Sequence, residues 1–246
     1  MQKPNTLIIG GSSTFGREIA KELLLSGHNL LVSFFSRGNK DDFVELVRLS
    51  KKYKKNNLFI ERLDIRDELQ IKKIVGSSRM RFDNLVYSIG AKIDFKEISK
   101  LRQADLEEQF YVYVTGLLLM INQLIQEKHP LKSILVIGSS CLFGTPPSRL
   151  SDYTISKYGQ FGLVKCLASE LASKGIKVNM ISPGVSGEGL SSTYPDAFLR
   201  LIKSQTPLRR LVNSKDVARL AKFLLSDGAG YITGLNIPVD GGLHTA

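Results

Sequence analysis

Tyr153 and Lys157 stand four residues apart in Asp152-Tyr153-Thr154-Ile155-Ser156-Lys157. On a helix that spacing puts both side chains on one face, phenol beside ammonium. A free phenol titrates near ~10, too high for efficient proton exchange at neutral pH. An adjacent cation favours the phenolate, and a lowering of ~2–3 units corresponds to roughly 3–4 kcal/mol. Such a pair can protonate a carbonyl oxygen as hydride reaches its carbon, or run the reverse reaction. Taken alone, the same spacing also describes an ordinary surface pair.

A second constellation is Gly10-Gly11-Ser12-Ser13-Thr14-Phe15-Gly16, set between the aliphatic run Thr6-Leu7-Ile8-Ile9 and Arg17-Glu18-Ile19-Ala20. Glycines there allow a tight turn and bring backbone N–H groups close to a diphosphate, and the following helix N-terminus adds partial positive charge. The alternative is a structural turn. At the tip of the next run, Ser33-Phe34-Phe35-Ser36-Arg37, an acidic residue would bind a ribose 2′-hydroxyl and repel a 2′-phosphate. Ser36, Arg37 and nearby Lys40 do the reverse and favour NADP over NAD; an exposed loop arginine is the alternative reading.

These residues need a scaffold that alternates strand and helix. Thr6–Ile9, Leu30–Phe35, Leu58–Leu63, Leu85–Tyr87, Ile134–Ile137, Val178–Ile181 and Asn236–Val239 read as buried strands. Phe15–Ser26, Asp41–Lys52, Asp67–Val75, Asp105–Glu127, Asp152–Ser173 and Ser214–Leu225 read as helices. Near-continuous aliphatic strands alternating with helices predict an α/β fold, a doubly wound parallel sheet of Rossmann type covered on both faces. A single domain over residues 1–246 is expected, with residues 186–211, polar and bearing Gly and Pro, as a lid or pocket wall.

Composition narrows the classes. Of 246 residues, 43% are hydrophobic and 23% charged, the balance of a folded domain and not of a disordered chain. The longest near-apolar stretch, Tyr111 to Ile121, is shorter than the ~20 residues of a spanning helix. The first residues lack a signal-peptide pattern, and Cys141 and Cys166 form no disulfide framework, so a cytoplasmic protein is expected. His28, His129 and His244 are scattered without metal-ligand spacing. The formal charge of +11 suits an acidic partner or simply a lysine-rich solvated surface, and no nucleic-acid-binding signature accompanies it.

With these motifs in order, the chain from Thr6 to Gly242 resembles a single-domain short-chain dehydrogenase/reductase. The family's T-G-x-x-x-G-x-G turn matches Ile9 to Gly16; its acidic residue beside adenine matches Asp64, followed by Ile65. Its serine strand matches Ile137-Gly138-Ser139-Ser140, with Ser140 thirteen residues before Tyr153, and its P-G turn matches Pro183-Gly184, followed by Val185. The ending, Val239-Asp240-Gly241-Gly242, is similar too. The resemblance implies Tyr153 as general acid/base, Lys157 lowering its pKa and holding the nicotinamide ribose, and Ser140 positioning the substrate oxygen, with Ser139 the confusable neighbour. It implies NADP(H) bound along Gly10, Ser12, Ser13, Thr14, Phe15, Gly16, Ser36, Arg37, Asp64, Ile65, Ser88, Ile89, Gly90, Tyr153, Lys157, Pro183, Gly184 and Val185, and no metal. Cys141, beside Ser140, reads as a small core residue.

The chain departs from that pattern in four places. Thr14 replaces the middle glycine of the turn, to crowd the diphosphate or donate to it. The family's N-N-A-G is Tyr87-Ser88-Ile89-Gly90, whose Ser-Ile-Gly resembles enoyl carrier-protein reductases, although those usually have a wider Tyr–Lys spacing. Tyr113 stands where the family places an Asn that helps hold a water relaying protons to the Lys; it is a candidate to support, redirect or slow that relay. The Thr that often follows the P-G turn is absent, with Glu188 near its place.

The resemblance further implies NADPH-dependent reduction of a ketone to a secondary alcohol, most like 3-oxoacyl carrier-protein reductases, on a 3-oxoacyl or polyketide-like thioester. Lys128, Lys132 and Lys174 occupy places where such enzymes dock an acidic acyl carrier protein; ordinary helix-end capping is the alternative. Tyr194, Phe198, Leu199 and Ile202 are candidates for an apolar pocket wall or for the buried face of a short helix. A homotetramer, or next a homodimer, is expected through the fourth and fifth helices, where Leu117, Leu118, Met120, Ile121, Leu124, Phe161, Leu163, Val164, Leu167 and Leu171 exceed one buried stripe. The competing readings are oxidation or reduction of another small alcohol or ketone, and an NADP-binding protein with little catalysis.

Overall fold

The computed structural model describes residues 3–35, 43–52, 57–78, 80–192 and 194–244. Seven strands form one sheet: β1 (Asn5–Ile9), β2 (Asn29–Phe34), β3 (Leu58–Arg62), β4 (Asn84–Tyr87), β5 (Ser133–Ile137), β6 (Lys177–Pro183) and β7 (Asn236–Val239). Their order is β3-β2-β1-β4-β5-β6-β7, and every pair is parallel. The inner strands β4 and β5 are buried on both faces, which their aliphatic runs require. Pro238 is accommodated because β7 is an edge strand.

Helices α1 (Thr14–Leu25), α2 (Val44–Lys52), α3 (Glu68–Gly76), α4 (Gln103–Phe110), α5 (Gly116–Gln126), α6 (Ser151–Leu171), α7 (Asp196–Gln205) and α8 (Ser214–Leu224) fill the connections. Local chemistry starts several of them. The Ser13 hydroxyl caps α1, the Asp67 carboxylate accepts from Leu69 and Gln70 N–H at the start of α3, and Asn213 and Asp216 form a capping box on α8. The chain winds outward from β1 through β2 to β3, then returns to place β4 on the other side. This reversal leaves a crevice beyond the carboxyl ends of β1 and β4, the place where doubly wound sheets bind ligands.

The sequence expectation of one helix over Asp105–Glu127 is corrected. Tyr111–Thr115 forms a π turn between α4 and α5, with Gly116 N–H bonding back to the Tyr111 carbonyl. The wider turn presents main-chain carbonyls to side chains: the Tyr87 hydroxyl donates to Val112 O, and the Gln160 amide donates to Tyr113 O. Gly116 lets the helix settle on the sheet, since a Cβ there would lie 2.6 Å from the Ile65 side chain.

Candidate active site

At the first turn, Gly10 has φ 86° and a Cβ on it would lie 2.5 Å from the Ser88 carbonyl oxygen. Gly16 is equally constrained, 2.3 Å from Gly10 O by the same construction. The Ser13 hydroxyl donates to Gly10 O at 2.8 Å, accepts from Gly16 N–H at 3.0 Å and meets Ser88 Oγ at 3.0 Å. Its side chain therefore builds the cradle. Thr14 turns towards the segment after β6, where a Cβ on Gly189 would come within 2.5 Å of Thr14 Oγ1. The missing middle glycine is thus matched by a second glycine across the mouth of the crevice.

A cleft of about 790 Å³ runs from this turn to Tyr153. Gly10, Ser12, Ser13, Thr14, Phe15, Asp64, Ile65, Ser88, Ile89, Gly90, Pro183, Gly184 and Val185 all line it, as do Ser139, Ser140, Tyr113, Tyr153 and Lys157. Ser36 and Arg37 lie outside the described residues. Asp64 is engaged by Arg66, with both carboxylate oxygens 2.9 Å from guanidinium nitrogens, and that contact holds its carboxyl below the usual range. Arg66 also stands 5.1 Å over the Phe35 ring, so a guanidinium and an aromatic face share the wall beside Asp64. Volume, a helix N-terminus behind a glycine turn, and this flat wall fit an extended dinucleotide.

At the other end, α6 carries Tyr153 and Lys157 into the sheet's edge, both buried. Lys157 Nζ donates to Ile137 O and to Gln160 Oε1, each at 3.0 Å, and lies 4.0 Å from the centre of the Tyr113 ring. Burial pushes the ammonium down to about 7. The Tyr153 phenol is pushed well up, chiefly by burial and further by Tyr113 and Cys141. Burial thus acts on the Tyr153 phenol against the lowering expected from Lys157, whose Nζ lies 5.8 Å from the ring centre.

Ser139 and Ser140 both line the cleft with Tyr153. Ser139 Oγ accepts from Cys141 N–H, and Ser140 opens a helical turn over Ser140–Leu142 in which its carbonyl accepts from Phe143 N–H. Tyr113 is buried edge-on against Tyr153, ring centres 5.7 Å apart, and its hydroxyl accepts from Ala91 N–H at 3.0 Å. Burial raises the Tyr113 phenol, and the side chain serves as a wall.

The profile of the Enoyl-(Acyl carrier protein) reductase family matches residues 10–244. A 3-oxoacyl-[acyl-carrier-protein] reductase FabG of Buchnera aphidicola is 31% identical over 98% of each chain. The chain belongs to the short-chain dehydrogenase/reductase family.

Further relatives include FabG of Staphylococcus aureus, 29% identical over 98% of each chain, and the uncharacterized oxidoreductase YmfI of Bacillus subtilis, 29% identical over 97% of this chain and 98% of that one. A short-chain dehydrogenase/reductase mutant of Serratia marcescens superposes with a TM-score of 0.89 over 99% of each chain at 22% identity, which shows the shared fold. The chain is an oxidoreductase of this family and resembles its 3-oxoacyl carrier-protein reductases. Members use nicotinamide cofactors.

Family motifs did not point to Gln160 or Arg66. Gln160 had a signal: it lies three residues after Lys157 on the face that continues as Val164, Leu167 and Leu171, a polar residue in an apolar stripe. Of the lid candidates, Tyr194 lines the cleft and contacts Phe198 at 5.3 Å and Phe95 at 5.6 Å between ring centres. Phe198 is exposed and α7 buries no residue, so neither sequence reading of that helix describes it fully.

Proposed function

We propose that the protein is an NADPH-dependent reductase of 3-oxoacyl or related ketone thioesters. The observation that carries the reading is the burial of Tyr153 and Lys157, beside Ser139 and Ser140, at one end of a cleft whose other end is the glycine turn. Bound NADPH would supply the hydride. The Ser140 hydroxyl, with Ser139 its neighbour in the cleft, would hold the ketone oxygen, and Tyr153 would deliver a proton to that oxygen. Tyr153 is suited to the reductive direction because its raised pKa keeps it protonated. Lys157, with two donors committed to Ile137 O and Gln160, keeps a third for the ribose or the phenol.

The family profile carries an enoyl reductase description, whereas the FabG relatives are named for 3-oxoacyl substrates. The four-residue spacing from Tyr153 to Lys157 favours the ketone. NADP preference rests on Ser36 and Arg37. Exposed Phe110, Leu118, Ile155 and Tyr158 on α4, α5 and α6 support a homotetramer or homodimer, whereas Leu117, Met120, Ile121, Leu124, Val164, Leu167 and Leu171 are used by the chain's own core. Lys128, Lys132 and Lys174 precede β5 and β6, at the end of the sheet opposite the cleft; an acyl carrier protein docked there would serve the cleft of a partner subunit. No described helix is long and apolar enough to cross a membrane. Unpaired Cys141 and Cys166 suit a reducing cytoplasm.

One observation favours the reading with little catalysis: two Lys157 donors are spent on protein groups. NADPH oxidation with an acetoacetyl thioester separates the two. Turnover that is lost in Tyr153→Phe and in Ser140→Ala supports the reductase with Ser140 at the oxygen. NADPH binding without turnover on a panel of ketones and ketone thioesters overturns it.

A further inference from the structure

In the layer between α6 and the π turn, the Lys157 ammonium makes no ion pair among the described residues. The titratable groups facing Lys157 are Tyr153 on its own helix, Tyr113 on the π turn and Cys141 after β5. Burial raises all three, so each is neutral near pH 7. Lys157 is only 2% exposed, leaving solvent little part in holding its charge. Neutral dipoles must do so, and the contacts that do are Ile137 O and Gln160 Oε1.

Gln160 is itself 1% exposed, with both ends of its amide engaged: Oε1 accepts from Lys157 Nζ and Nε2 donates to Tyr113 O, each at 3.0 Å. The carbonyl it reaches belongs to the turn in which Gly116 N–H bonds five residues back. A glutamine has one acceptor and one donor end, and each end here meets the complementary group. An aliphatic side chain of similar volume would leave an ammonium N–H and a carbonyl without these partners in a dry core.

We propose that Gln160 is a positioning residue for Lys157, its amide bridging the ammonium to the Tyr113 carbonyl so that the cation stays charged and fixed between the Tyr113 ring and Ile137. The proposal rests on the reductase reading for its catalytic consequence and not for its structural one. The amide oxygen lowers the free energy of the charged ammonium, and the amide N–H ties that oxygen to the π turn. Gln160 touches no substrate and acts through Lys157.

The test is a pH titration of the Lys157 ammonium by NMR of lysine-labelled, cofactor-free protein, run on wild type, Gln160→Met and Gln160→Glu, with kcat and KM measured against pH in parallel. Gln160→Met is expected to lower the Lys157 pKa by about one to two units, the size of losing one hydrogen bond to a charged group. Gln160→Glu is expected to raise it, by placing a carboxylate against the ammonium. The alkaline limb of kcat should move the same way in each variant, with KM for the thioester little changed. Equal Lys157 titration in all three proteins overturns the proposal, as does a loss of activity in both variants with unmoved pH profiles. Should wild type lack turnover, the reductase reading fails, and opposite NMR shifts in the two variants would still establish the bridge. If Gln160→Met does not fold, Gln160→Glu carries the comparison alone: no upward shift overturns the proposal.

Discussion

The two faces of the sheet are built on opposite principles. Helices α1 and α8 bury aliphatic side chains: Ile19, Ala20, Leu23 and Leu24 from one helix, and Val217, Ala218, Ala221 and Leu224 from the other. They close over Ile8, Val32, Val86 and Leu135. The α6 side buries Tyr153, Thr154, Ser156, Lys157 and Gln160 in its first three turns and becomes aliphatic only from Val164 onward. Thr154 Oγ1 and Ser156 Oγ have no hydrogen-bond partner there among the described residues. The first face pairs its few buried polar groups, Thr6 with His28 and Asn84, and Ser133 with Leu224 O, whereas the α6 face leaves some unpartnered at a cost to stability, a cost that fits the proposed role of Tyr153.

The comparison breaks most readily at Tyr153. Tyr153→Phe removes the proposed proton donor and keeps the ring, so the proposed thioester reduction should fall by ~10²–10⁴-fold while the melting temperature stays close to wild type. A variant that melts much earlier would show the phenol to be structural. Leu23→Ala should behave in the opposite way. Removing a fully buried leucine under α8 should cost about 2–5 kcal/mol in urea unfolding, with kcat at low temperature unchanged. If Leu23→Ala also lowers kcat in the folded protein, the two faces are coupled and the division fails.

The aliphatic face was almost wholly legible in the sequence, because hydrophobic periodicity reports burial directly. All seven strands and the glycine turn lie where Thr6–Ile9, Leu30–Phe35 and their successors placed them, to within two residues. The polar face was legible in outline only. Tyr153 and Lys157 follow from helical spacing, but the π turn and the bond from Gln160 to Tyr113 O depend on main-chain geometry. The π turn arises where Tyr87 and Gln160 donate to consecutive carbonyls, residues 73 positions apart (160 − 87) that no local pattern connects.

Lys157 gives a third and smaller contrast, read through pH. Its ammonium titrates near 7 when folded against an ordinary 10.5, so between those values the unfolded chain binds more protons. The Lys157 contribution to stability therefore rises with pH from about 7 towards 10.5, and is at its most unfavourable below 7. Lys157→Met should flatten that slope, matching or exceeding wild-type stability near pH 7 and losing the advantage near pH 10. Activity should be lost at both. Parallel pH dependence of unfolding in the two proteins would show that the ammonium is solvated in the folded state.

Tyr194 belongs to neither face and should give the smallest effect. Helix α7 buries no residue, and the aromatic chain Phe95–Tyr194–Phe198 ties it across the cleft. Aromatic pairs of this kind contribute ~0.5–1.5 kcal/mol each. Tyr194→Ala should thus leave the melting temperature nearly unchanged and raise KM for a long-chain oxoacyl thioester by roughly two- to tenfold. For acetoacetyl thioesters the rise should be smaller, since a short chain makes less contact with the lid. Tyr194→Phe keeps the ring and should restore KM, separating the ring contact from any role of the hydroxyl. A loss of kcat with KM unchanged would instead place Tyr194 with the polar groups around Tyr153, extending the reactive face of the sheet into the lid.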